Sequence, residues 1–155
     1  ILFLAYPAYA LAAVLFSLLL FSGLGSLAAP RLPWRGALAT LTLIGLVIAF
    51  ALPLLLYRAL GWPLWSRFSL TVLSLAPLGF LLGLPFPKGL AWLERSAPHL
   101  IPWAWAVNGS ISVVASVLAA ILTLSLGYRA VLLLGSTAYT LALLSNAFPA
   151  SGGRR

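Results

Sequence analysis

The chain has 155 residues, 63% of them hydrophobic and only 6% charged, with a net charge of +8. Its mean hydropathy of +1.14 lies far from that of a soluble domain, in which about a quarter of residues are charged. The lack of Cys excludes disulfides, thiolate chemistry and Cys-ligated metals. The nine basic residues are scattered rather than gathered on one face, which argues against nucleic acid.

Those basic residues are Arg31, Arg35, Arg58, Arg67, Lys88, Arg95, Arg129, Arg154 and Arg155. They leave five uncharged stretches, Ile1–Pro30, Gly36–Tyr57, Phe68–Pro87, Leu100–Tyr128 and Ala130–Gly153. Each is long enough for the roughly 20 residues that cross a bilayer core. An Arg at mid-membrane costs about 2.5 to 3.5 kcal/mol on the insertion scale, so charges settle between spans. The expectation is an all-α, polytopic membrane helix bundle. It has about five transmembrane helices and a short interfacial helix, in one domain over residues 1–150, with a polar tail at 151–155. Opening on Ile1 without any Met, the chain reads as a piece of a longer protein.

In chain order, the first helix is expected from about Leu2 to Phe21. Ser22-Gly23-Leu24-Gly25-Ser26 then allows either a tight exit or the close approach of a neighbouring helix. Trp34 falls at headgroup depth between Arg31 and Arg35. The second helix is expected over Ala37 to Tyr57, with a kink at Pro53. The third, Phe68 to Leu84, is broken by Pro77 and stopped or bent by Pro85 and Pro87. Leu90 to Arg95 suits a short helix lying along the interface, with Lys88, Glu94 and Arg95 towards water. The fourth helix, Trp103 to Leu126, opens on Pro102 with Trp103 and Trp105 as interfacial anchors. Gly127-Tyr128-Arg129 is short enough to force the fifth, Ala130 to Phe148, antiparallel against the fourth.

Loop charges give an orientation. With the N-terminus outside, inside segments hold Arg31, Arg35, Lys88, Arg95, Arg154 and Arg155, against Arg58, Arg67 and Arg129 outside. That excess predicts a cytoplasmic C-terminus.

Few residues carry distinctive chemistry. Gly79-xxx-Gly83 is a small-residue pattern that lets two backbones approach. Ser112, Ser116 and Ala120 recur every fourth residue beside a row of Ala115, Ala119 and Thr123. This small face reads as a packing seam, with a ligand path as the alternative. Asn108, followed by Gly109, must find partners near hydrocarbon. It is either an interhelical tie or a substrate-lining group, and the tie is expected to reach carbonyls freed by Pro85 and Pro87 at the end of helix three. Glu94, the only acid, suits a surface contact with Arg95 or Lys88, and His99 suits the interface. No carboxylate lies in a spanning stretch, which weighs against an ion-coupled transport site within this chain. Pro/Gly interruptions in helices three and four fit helix-end punctuation or, alternatively, a transporter's binding site. No paired acid, nucleophile with base or phosphate loop is present, so no catalytic residue, metal or cofactor is expected in this chain. The binding candidates are Asn108, Trp103, Trp105, Lys88 and Glu94. The structural motif comprises Gly79, Gly83, Pro85, Pro87, Gly89, Gly109, Ser112 and Ser116.

Three stretches carry a resemblance: VLFSLLLFSGLGSLAAPRL (14 to 32), LGFLLGLPFPKGL (78 to 90) and PWAWAVNGSISVVASVLAAILTLSLGYRAVLLLGSTAYTLALL (102 to 144). The carrying residues are Ser22 to Ser26, Gly83 with Pro85-Phe86-Pro87 and Gly89-Leu90, and Trp103-Ala104-Trp105 with Val107-Asn108-Gly109 and Ser112-Val113. The chain resembles the membrane region of bacterial proteins described as fused major-facilitator/spermidine-synthase proteins. The resemblance implies a multi-pass domain of the bacterial inner membrane that anchors or serves a cytoplasmic aminopropyltransferase-like domain. The Gly-rich and acidic motifs of that domain, which would bind decarboxylated S-adenosylmethionine and a polyamine, do not occur in this chain. Expected partners are the lipid bilayer, a fused or associated spermidine-synthase-like domain and, through helix contacts, further copies. The alternative is part of a major-facilitator-like transporter for a small amphipathic or cationic solute.

Overall fold

The computed structural model describes residues 2–4 and 6–145. The Trp34 side chain and the tail with Phe148, Arg154 and Arg155 lie outside what is described. The helices are α1 (Pro7–Ala28), α2 (Trp34–Arg58), α3 (Leu64–Leu82), α4 (Pro85–Ser96), α5 (Ile101–Leu126) and α6 (Tyr128–Leu144), with short 3-10 turns at Leu2–Leu4, Ala29–Arg31 and Pro98–Leu100. No strand occurs among the described residues. Four apolar helical stretches, Pro7–Arg31, Arg35–Arg58, Leu64–Ser96 and Pro98–Leu126, are long enough to cross a membrane. The fifth, α6, has 17 residues, at the lower end of the roughly 17 to 25 that suffice. The all-α fold is as expected.

The apolar helices stand in a row, α1 beside α3, α3 beside α2, α2 beside α6 and α6 beside α5. The tightest crossing is between α1 and α3, and its cause is the absence of side chains. A Cβ on Gly25 would collide with the Phe80 carbonyl, and one on Gly83 with the Ser22 carbonyl. A Cβ on Gly79 would come 3.2 Å from Phe21 Cβ and 3.4 Å from the Ser17 carbonyl oxygen. Ser17 is wholly buried in this contact, its hydroxyl donating to the Ala13 carbonyl at 2.6 Å. Ser22 to Ser26 therefore do not end the first helix, which continues to Ala28. Of the two readings of that segment, close approach is the one realised.

The second contact, α2 against α6, combines small size with polarity. Gly45 lies against the Ser136 hydroxyl, Ser136 is buried, and the Thr140 hydroxyl reaches that of Thr42 at 3.4 Å. Thr140 also donates to the Ser136 carbonyl at 2.8 Å and Thr42 to the Leu38 carbonyl at 3.2 Å, so both threonine hydroxyls are satisfied beside hydrocarbon. Leu38, Leu41 and Leu84 are the large side chains that are fully buried.

α5 and α6 meet through a single residue, Gly127, whose φ of 81° is costly for any residue with a Cβ. The hairpin forms as expected, although α6 rests mainly on α2. α5 thus stands at the edge of the row, with no fully buried residue. This corrects the expected seam: Ser112, Ser116 and Ala120 are exposed. The two hydroxyls bond back to the carbonyls of Asn108 and Ser112 at 2.6 and 2.7 Å. Pro53 and Pro77 both sit inside continuous helices.

The alternating helices sort the charges. Arg31, Arg35, Lys88, Glu94, Arg95 and His99 lie at one end of the row, and Arg58, Arg67 and Arg129 at the other. At the second end Arg67 donates to the Trp62 and Phe3 carbonyls at 2.7 and 3.1 Å, tying the start of the chain to the α2–α3 turn.

The crossing generates a direct prediction. Gly25→Ala should lower stability in detergent by about 1 to 3 kcal/mol, the usual cost of overpacking. Gly23→Ala, where a Cβ meets nothing within 4 Å, should be neutral or gain up to about 1 kcal/mol from helix propensity. Thermal unfolding of the two purified variants makes the comparison.

Candidate functional site

The distinctive residues of the sequence converge on α4 and the start of α5. α3 stops at Leu82, and α4 starts at once on Pro85. A proline in a first turn lacks only an N–H that would have no helical partner anyway, so Pro85 and Pro87 begin a helix here rather than merely ending one. α4 spans Pro85–Ser96, beginning five residues before the expected interfacial helix. It packs against the Ala29–Arg31 turn, the start of α5 and α2. Its sequence is amphipathic: Phe86, Gly89, Leu90 and Leu93 share one side, with Lys88, Glu94 and Arg95 away from them.

Two contacts fix α4. The Lys88 ammonium donates to the Leu32 carbonyl across 56 positions of sequence, which pins α4 to the α1–α2 turn. The Phe86 ring meets Trp105 edge to face, with centroids 4.8 Å apart at 80°, a favoured aromatic geometry. Between α4 and α5 lies an open groove of about 380 Å³, lined by Pro85, Phe86, Gly89, Leu93, Ala104 and Asn108, among others. Its lining is mostly apolar and includes the Asn108 amide. Such a slot suits the apolar part of an amphipathic molecule with one hydrogen-bonding group.

Asn108 departs from expectation. Its side chain is exposed and forms no hydrogen bond among the described residues. The expected tie to α3 carbonyls is not made, because α4 comes between the break and α5 and turns Asn108 onto the groove. Glu94 is likewise exposed and pairs with neither Lys88 nor Arg95. Lys88 is held by a carbonyl instead, and in water an exposed pair gains little.

The remaining candidates divide clearly. Trp103 and Trp105 are 70% and 57% exposed, as anchors at a headgroup boundary would be. His99 is exposed in the turn before α5. Gly79 and Gly83 sit at close backbone contacts, while a Cβ on Gly89 or Gly109 would meet nothing within 4 Å. Asn108 and Trp105 come together with α4, whereas Glu94 lies off the groove side. Sequence reasoning missed Gly45 and Ser136 at the α2–α6 contact. Their signal was present as small residues three or four apart, Thr42, Gly45 and Ala49 on α2 and Ser136 and Thr140 on α6. No group of three or more His, Asp or Glu residues able to hold a metal occurs among the described residues.

No protein-family model, curated protein or solved structure matches this chain.

The geometry separates two positions that look equally polar in sequence. Lys88→Met should lower stability by about 1 to 2 kcal/mol, the order expected for a half-buried charge-assisted bond. Asn108→Leu, which breaks no bond, should stay within about 0.5 kcal/mol of the parent. Denaturation of the two variants in one detergent tests the contrast.

Proposed function

We propose that this chain is the membrane domain of an inner-membrane protein of the spermidine-synthase-like fusion type, and that it anchors an aminopropyltransferase-like domain at its α4 end. One observation carries the reading. α4, the one strongly amphipathic helix among the described residues, is pinned by Lys88 at the end of the row that also bears Arg31, Arg35, Arg95 and His99. A helix so placed, with its charged side away from the apolar groove, can lie at a membrane surface and meet a soluble domain there.

The resemblance supports the identity of that soluble domain, and the basic excess supports a cytoplasmic position for this end. The transporter reading is less favoured. A path for a cationic solute needs intramembrane acids, and the sole acid, Glu94, is exposed on α4.

Two linked measurements test the proposal. In intact cells, a membrane-impermeant maleimide should label Ser66→Cys and spare Ser96→Cys. Both positions are exposed, and no native thiol interferes. Reconstituted into liposomes, the chain should take up labelled spermidine no faster than protein-free vesicles. Labelling of Ser96→Cys from outside, or saturable uptake, would overturn the anchor.

A further inference from the structure

At the opposite end of the row, α2 and α3 leave a crevice that the anchoring role does not use. Its walls are mostly apolar, with Ile44, Ile48, Ala51 and Leu55 from α2 and Pro77 from α3, and Ser74 adds one hydroxyl. The volume is about 450 Å³, within the range of roughly 300 to 1,000 Å³ typical of small-molecule sites. From Ile44 to Leu55 it follows eleven helical steps, about 16 Å at 1.5 Å each. That is close to half of a hydrocarbon core of roughly 30 Å, the depth of one leaflet.

Arg58 closes the crevice at the end of α2. It is exposed and makes no hydrogen bond or ion pair among the described residues. The helix carbonyls nearest to it are already engaged, since the Ala59 N–H is shared by Leu55 and Leu56 and the Leu60 N–H donates to Tyr57. Arg67, its neighbour at this end, is committed to the Trp62 and Phe3 carbonyls. Among the described residues no carboxylate reaches Arg58, because Glu94 is the only acidic side chain in the chain and lies at the far end of α2, a helix of 25 residues. An apolar slot one leaflet deep, ending in an unneutralised guanidinium, complements an anion joined to a hydrocarbon chain.

We infer that the α2–α3 crevice binds one phospholipid with an anionic headgroup, its acyl chain along Ile44 to Leu55 and its phosphate on Arg58. A guanidinium meets a phosphate through two parallel N–H···O bonds. Basic pockets between membrane helices select anionic headgroups by the same charge logic. A soluble anion would leave the apolar walls unused. A zwitterionic lipid brings a second, cationic group that Arg58 does not favour.

Native mass spectrometry of the full chain, titrated in micelles with dioleoyl phosphatidylglycerol or dioleoyl phosphatidylcholine, tests this. The parent should hold one phosphatidylglycerol more tightly than phosphatidylcholine. Arg58→Gln should weaken phosphatidylglycerol about fivefold, as expected for one interfacial cation, and erase the preference. Arg58→Lys should retain most of the binding, and Arg129→Gln, a cation at the same end outside the crevice, should leave it unchanged. Ala51→Phe, filling the slot from an exposed position, should weaken both lipids. Equal binding of the two lipids by the parent, or an Arg129→Gln loss equal to that of Arg58→Gln, would overturn the site. So would unaltered binding in Ala51→Phe.

Discussion

Two helices in hydrocarbon gain nothing from hiding apolar surface from each other, because lipid tails hide it equally well. What holds them is the number of atoms in van der Waals contact, and that number rises when backbones approach without side chains between them. In this chain the closest approach is made by Gly25 on α1 against Phe80 on α3, and by Gly83 on α3 against Ser22 on α1. The rest of the architecture depends on this crossing. α3 ends at Leu82 beside this contact, and α4 begins at Pro85. α4 in turn reaches Leu32 through Lys88 and Trp105 through Phe86.

Packing by small residues also explains the open shape. Each close contact joins one pair of helices, so the outcome is a row with α1 and α5 as its neighbours-on-one-side-only ends. α2–α6 uses a variant of the same device, placing hydroxyls beside Gly45, where Thr42 and Thr140 meet each other and donate to the Leu38 and Ser136 carbonyls. Between these contacts the faces diverge and leave grooves, one beside α4 and one between α2 and α3. Both grooves are mostly apolar, and Asn108 lines the first and Arg58 the second without a side-chain hydrogen bond among the described residues.

The spans were legible in the sequence because their signal is additive. Five uncharged stretches each sum many small transfer energies, and one or two residues at an end change little. The hairpin at Gly127 was legible because its length left no other path. Partner choice was not. Ser112 and Ser116 have the spacing of a seam, as Gly79 and Gly83 do, yet only the glycines face another helix. A repeat on one helix says which residues share a face, not what stands opposite. The row places α6 and α4 beside α5 and nothing against its small face, information held by the α1–α3 and α2–α6 contacts rather than by α5. Asn108 failed as a tie for the same reason. Its level along the helix was read correctly, while α4, longer than its charged segment suggested, came between it and α3.

The row of helices rests on the α1–α3 crossing, and cross-linking measures that contact directly. A Cβ at Gly79 stands 3.2 Å from that of Phe21, close to the roughly 3.5 to 4.5 Å spanned by a disulfide. The chain has no native Cys to compete. A Phe21→Cys/Gly79→Cys protein, oxidised mildly in membranes, should become resistant to a thiol-reactive polymer within a single chain, independently of protein concentration. Phe21→Cys/Leu73→Cys, whose second position is 68% exposed, should stay fully reactive. Equal reactivity of the two pairs would mean that α1 and α3 do not cross at their glycines.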